Sequence, residues 1–277
     1  MGYNLIQKTK TFFRLLRESG IPGALQGVRE DFARTASVNV TKEMRAAWAG
    51  REGLAIPPEA FGMSSRDHEA QRNGGPEEGI RFSILVPLYN TPEAFLREML
   101  ASVLLQTYRN WELCIADGSD GAHPYTQGIC EGLAAADRRV KYVKLERNLG
   151  ISGNTNACLE LAAGDYVSLF DHDDLLHPSA LYETAKAVRG CGAELVYTDE
   201  AAVRSPDLHD IAFIHFKRDI SQELLESINY ICHFTSFRRS LLEGLRFDPE
   251  CDGAQDFDII LKVTERTGKV AHVKKCL

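Results

Sequence analysis

Between residues 81 and 199 five short apolar runs recur at a spacing that constrains the fold more than any other feature of this chain. They are "RFSILVPLY" (81–89), "WELCIAD" (111–117), "VKYVKL" (140–145), "DYVSLF" (165–170) and "AELVYTD" (193–199). The first is nearly continuous in apolar residues, as expected of a strand covered on both faces of a parallel sheet. Helix-length stretches separate the first four runs. In the first of these, Thr91 and Pro92 suit an N-cap and a first helical residue, and Phe95, Leu96, Met99, Leu100, Val103 and Leu104 mark one helical face. The spacing predicts an α/β fold on a mainly parallel sheet. No internal repeat or low-complexity tract competes with it.

At 277 residues, with 44% hydrophobic and 26% charged residues, the chain has the composition of an ordinary globular protein. Its net charge of -7 argues against nucleic acid as a partner, because phosphate binding needs clustered Lys and Arg. A metal-bridged polyphosphate is compatible with that charge, since the cation supplies the positive field. The 7 cysteines stand singly with no CxxC pair, which fits reduced, buried thiols in a cytoplasmic protein. No apolar run reaches the roughly 18 residues of a membrane span, and no signal peptide is visible at the start.

Residues 1–50 are basic, with 8 Lys or Arg against 4 Asp or Glu. In "NLIQKTKTFFRLLRESG" apolar and basic residues interleave from Leu5 to Arg17. This predicts a helical N-terminal extension that either lies on an anionic membrane surface or packs on protein. From 51 to 79 periodicity disappears while Pro, Gly, Ser and charge accumulate, which reads as a linker with a domain boundary near residue 80.

Ligands of such sheets bind beyond the carboxyl ends of the strands. Polar clusters fall there in four successive loops: Tyr89 and Asn90, Asp117, Asn148 to Gly150, and Asp171 to Asp174. The last is the most unusual, with three carboxylates in four residues. In extended backbone Asp171 and Asp173 point the same way while His172 turns aside. Such a pair suits Mg²⁺ or Mn²⁺, commonly held by one or two carboxylates plus substrate phosphates. Asp117 could accept hydrogen bonds from a nucleobase or ribose. The competing reading is that these aspartates cap the helix through "PSALYETAKAV", and Asp174 suits that role best. Asp256 could equally cap a helix carrying Phe257, Ile260, Leu261 and Thr264.

The segments "FSILVPLYNTPEAFLREMLASVLLQTYRNWELCIADGS", "NLGISGNTNACLELAAGDYVSLFDHDDLLHPSAL" and "GAQDFDIILKV", in this order, resemble the catalytic domain of family 2 glycosyltransferases. The likeness is greatest to the bacterial O-antigen and rhamnan-type branch and runs over roughly residues 81–277. It implies a GT-A fold and inverting transfer of a sugar from a nucleotide diphosphate donor to a hydroxyl of a glycan or lipid-linked glycan, in cell-surface polysaccharide synthesis. It also implies a donor pocket of Pro87, Tyr89, Asn90, Asp117, Asp171, His172 and Asp173, with Asp171 and Asp173 as the metal-binding Asp-x-Asp motif. Asp256 falls at the position of the general base. The chemistry gives both roles a reason: a cation stabilises the departing diphosphate, and a carboxylate must take the proton of a weakly nucleophilic hydroxyl.

The resemblance further implies that the chain is part of a longer enzyme, and the cysteine pattern and the basic extension lead us to expect it in the cytoplasm or at the inner face of the membrane. His177, His233 and His272 are expected to be structural, and residues 201–234 to face the acceptor. A sugar nucleotidyltransferase would carry a Gly-rich, basic loop where this chain has "PLYNTPE". A non-catalytic domain that binds nucleotide sugars or helps assemble a larger synthase is the alternative.

Overall fold

A computed structural model describes residues 58–74, 79–203 and 211–277. The basic extension of residues 1–50 lies outside the described residues. All five expected strands form: β1 (Phe82–Leu88), β2 (Trp111–Asp117), β3 (Val140–Lys144), β4 (Tyr166–Leu169) and β5 (Leu195–Val203). Three more follow, β6 (Ile211–His215), β7 (Thr235–Arg238) and β8 (Val270–Cys276). The sheet order is β3-β2-β1-β4-β7-β5-β6, with β8 also paired to β5. The first four strands run parallel, β7 lies antiparallel between β4 and β5, and β8 is parallel to β5. Strand β5 changes partner along its length, pairing with β8 up to Asp199 and with β6 from Glu200 onward.

Helices cover both faces: α2 (Glu93–Leu104), α3 (Pro124–Ala136), α4 (Gly150–Leu161), α5 (Ala180–Cys191), the short α6 (Gln222–Leu225) and α7 (Gln255–Thr264). Alternation along the strands divides the core in two. Ile84, Val86, Leu113 and Ile115 face the cluster under α2 and α5, while Leu85, Cys114, Ala116 and Val167 face the one under α4 and α7. Helix α2 buries Leu96, Met99, Leu100 and Val103 as its sequence face predicts. Its cap differs from expectation. Pro92 has an extended ψ of 136° and stands at the N-cap, so the helix begins at Glu93, and the buried Thr91 hydroxyl has no hydrogen-bond partner.

Within the stretch expected to be a linker, residues 58–74 fold against the sheet domain. A 3-10 turn (Pro58–Phe61) leads into α1 (Ser65–Gly74), started by Ser64, which accepts from Asp67 N–H at 3.1 Å. Met63 and His68 are buried, His68 Nε2 meets the Leu105 carbonyl at 2.9 Å, and Thr107 donates to Gln71 Oε1 at 2.9 Å. This docking uses single residues and polar contacts, so no apolar periodicity announces it. All seven cysteines are free. Among the described residues, no helix is long and apolar enough to cross a membrane.

Gly164, in the turn before β4, lies against β1. A Cβ there would sit 2.7 Å from the Arg81 carbonyl and 2.9 Å from Ser83 N, both backbone atoms that cannot swing away. Gly164→Ala should therefore cost about 1–3 kcal/mol of stability by overpacking. Urea denaturation should show a lowered midpoint with an unchanged slope.

Candidate functional site

The four polar loops meet at the carboxyl edge of β1 to β4. After β1, Tyr89 is exposed and Asn90 adopts a left-handed φ of 50°, which Asn tolerates better than most residues. Asn90 is fixed by its N–H donating to Ser119 Oγ at 2.9 Å and by a reciprocal side-chain and backbone pair with Asp120, both at 3.0 Å. Pro87, near the end of β1, is partly exposed beside Leu88, whose carbonyl accepts from Gly118 N–H at 2.9 Å and from Asn154 Nδ2 at 3.3 Å. Asn148 and Asn154 brace the loop into α4. Gly118 gives them room, since a Cβ at 118 would stand 2.9 Å from Asn154 Nδ2 and 3.0 Å from Asn148 Cα.

Asp117 ends β2 beneath this loop. It is fully buried and accepts from Ser119 N–H at 2.8 Å and Tyr142 OH at 2.9 Å, with Lys144 Nζ at 3.5 Å. Tyr142 and Lys144 come from the neighbouring strand β3, and Lys144 also donates to the Ser119 carbonyl. The carboxylate thus anchors the loop that carries Ser119 and Asp120, a role that its sequence neighbours do not signal.

The carboxylate cluster after β4 is arranged differently from the expected Asp171 and Asp173 pair. Asp171, Asp174 and His233 each offer one ligand atom, and these atoms lie within 4.8 Å of one another. Asp171 Oδ2 stands 3.6 Å from His233 Nε2. Asp173 is exposed and outside this group, because residues 171–174 turn, with Asp174 N–H reaching the Asp171 carbonyl at 3.4 Å, rather than running extended. None of the aspartates caps α5, which begins at Ala180 after Ser179. His172 lies alongside with its Nδ1 buried and unpartnered. Burial raises the Asp171 carboxyl above its usual range, with His233 opposing and Asp173 and Asp256 adding to the rise. Asp174 is raised likewise, by burial first. Burial alone would lower His233, but Asp171, Asp174, Glu200 and Asp256 hold it above the usual imidazole value. Two carboxylate oxygens and an imidazole nitrogen, crowded where their own charges conflict and beside an orphaned polar atom, are a donor set that a divalent cation fits.

Asp256 lies in the first turn of α7, where the N-cap is Ala254, so Asp256 does not cap the helix. Its Oδ2 accepts from Asn229 Nδ2 at 2.8 Å. The buried Cys232 thiol beside it is pushed well above its usual value by burial and then by this carboxylate. Two other acids nearby are committed elsewhere. Asp258 pairs with Lys262 at 2.6 Å, and Asp199 accepts from Lys217 N–H and faces His272 Nε2, both at 2.8 Å.

His177 and His272 serve the scaffold. His177 meets the Phe61 ring edge-on and accepts from Ser179 N–H, and His272 on β8 stacks on Tyr197 at 4.7 Å. His233, expected to be structural, lies within the acidic cluster. It stands 62 residues from Asp171, and no spacing could connect them. Beyond β6 a cavity of about 570 Å³ is lined by Phe216, Arg218, Asp219 and Ser221 among others.

The model of the family described as "Glycosyl transferase family 2" matches residues 83–246, over half of the chain. The chain belongs to glycosyl transferase family 2. It is 34% identical to the O-antigen biosynthesis protein RfbC of Myxococcus xanthus over 70% of this chain and 15% of that protein. It spans 15 to 22% of the length of the first curated relatives that it matches. Among solved structures it resembles residues 1–349 of Staphylococcus aureus TarS in complex with UDP, at a TM-score of 0.60 and 20% identity, over 71% of this chain and 59% of that one. It also resembles the mannosyltransferase PcManGT of Pyrobaculum calidifontis in complex with GDP-Man and Mn²⁺, at 0.52 and 19%, over 78% and 64%. These likenesses identify the GT-A fold of this family 2 domain.

Proposed function

We propose that this domain transfers a sugar from a nucleotide diphosphate donor to an acceptor hydroxyl with inversion, in the cytoplasmic synthesis of a bacterial surface polysaccharide such as O-antigen. The observation that carries the reading is the convergence of Asp171, Asp174 and His233 with Asp256 at one sheet edge, close enough that Asp256 raises both Asp171 and His233. A Mg²⁺ or Mn²⁺ ion held by the first three would supply Lewis-acid stabilisation of the departing diphosphate. Tyr89 and Asn90 border the nucleotide, with Asp117 holding the loop beneath. Asp256, aimed by Asn229, takes the acceptor proton as the hydroxyl attacks. The acceptor approaches from the side of residues 211–234, where Phe216 is 72% exposed at the cavity mouth.

A relative bound to GDP-Man and Mn²⁺ and a neighbour bound to UDP support a metal-bridged donor here. A screen of nucleotide sugars by thermal unfolding tests it. At 100 times Kd a matched donor adds about 2.7 kcal/mol, which raises Tm by roughly 5–10 °C for a domain of this size. The rise should require Mn²⁺ or Mg²⁺. Stabilisation that is equal with and without metal, or absent for every nucleotide, would remove this reading.

A further inference from the structure

His233 is held by its backbone at both ends. Glu200 Oε2, at the point where β5 leaves β8, accepts from His233 N–H at 3.0 Å. Lys217, just beyond β6, donates from Nζ to the His233 carbonyl. The two clamping groups pair with each other at 3.2 Å, and the Lys217 side chain is 0% exposed. Each is fixed in turn: Glu200 Oε1 meets His215 Nδ1 at 3.0 Å, and Lys217 N–H donates to Asp199 Oδ1 at 2.8 Å. With Lys217 buried and Glu200 30% exposed, the pair adds little net stability, because desolvation of the lysine offsets the attraction between the charges. What it secures is direction. With its N–H and carbonyl both pinned, His233 keeps only its side-chain torsions, and its ring stays aimed at Asp171 and Asp174.

We propose that Glu200 and Lys217 are positioning residues that hold His233 as a ligand of the metal that the donor diphosphate brings. This rests on the metal-dependent reading above. Outer groups that orient metal ligands typically govern affinity 10- to 100-fold. Lys217→Met keeps bulk and removes the clamp, so Mn²⁺ affinity measured by calorimetry in the presence of UDP or GDP should fall by about that factor. Pulsed electron paramagnetic resonance of the bound Mn²⁺ should show nitrogen modulation from a ligating imidazole in the wild type and lose it in the variant.

Lys217→Met leaves the partly buried Glu200 carboxylate without its lysine partner, which alone could lower stability. The double variant Lys217→Met/Glu200→Gln removes both charges and keeps a side-chain carbonyl for the His233 N–H. A double variant with wild-type Tm, Mn²⁺ affinity still at least about tenfold weaker and no nitrogen modulation supports the clamp. Wild-type affinity and modulation in either variant overturn it while leaving the metal reading in place. A wild-type protein that binds no Mn²⁺ with either nucleotide overturns both.

Discussion

Asp256→Asn should slow sugar transfer by roughly 10²- to 10⁴-fold, about 3–5 kcal/mol of transition-state stabilisation, while leaving donor affinity nearly unchanged. Asn has nearly the shape of Asp but cannot take a proton. The substitution costs the fold little, because residue 256 is inside the first turn of α7 and the helix is capped at Ala254. The hydrogen bond from Asn229 can persist to the amide oxygen. Single-turnover transfer and donor binding, measured separately on the full-length protein with its acceptor, distinguish the outcomes. Near wild-type transfer would remove Asp256 as the base. Asp199 and Asp258 would be poor replacements, since Lys217 N–H and His272 occupy the first and Lys262 the second.

Loss of the metal site should be as severe. Asp171→Asn and His233→Ala should each abolish Mn²⁺-dependent binding of UDP or GDP, because each removes one of three donors from a compact set. Asp173→Ala makes the contrast informative. From the Asp-x-Asp spacing it should be as damaging as Asp171→Asn, whereas its exposed position outside the cluster predicts a smaller loss. Calorimetric titration with metal and nucleotide, alongside Tm without ligand, ranks the three variants. If Asp173→Ala abolishes binding and His233→Ala does not, the donor set is the sequence pair and not the spatial triad.

Strands β1, β2 and β4 were legible because they are buried on both faces and therefore read as apolar runs. Strands β6 and β7 were not. Strand β6 is mostly exposed, with Phe213 and Ile214 open to solvent, so it has no burial pattern to detect, and β7 is only four residues long. In the site, Asp171 and Asp256 stood out through local clustering and the family motif. His233, Asn229, Glu200 and Lys217 did not, because each acts through a partner far along the chain: Asn229 through Asp256, and Glu200 and Lys217 through the His233 backbone. Asp117 shows how much of a side chain's setting one dimension hides. A carboxylate at a strand end looks like a ligand group in one dimension, and its contacts with Tyr142 and Lys144 on the adjacent strand cannot be read there.

The change of partner along β5 has a consequence for how such a domain diversifies. Up to Asp199 the strand is locked by β7 and β8, and from Glu200 onward β6 alone among the described strands pairs with it. A hairpin attached to the sheet through one strand can lengthen, shorten or be exchanged without shifting the register of any other strand. Grafts that join at Glu200 and Lys217 would carry a foreign surface to the mouth of the cavity while preserving the two residues that grip His233. In the reading proposed above, an exchange at that seam would alter the acceptor side while leaving the carboxylate cluster in place.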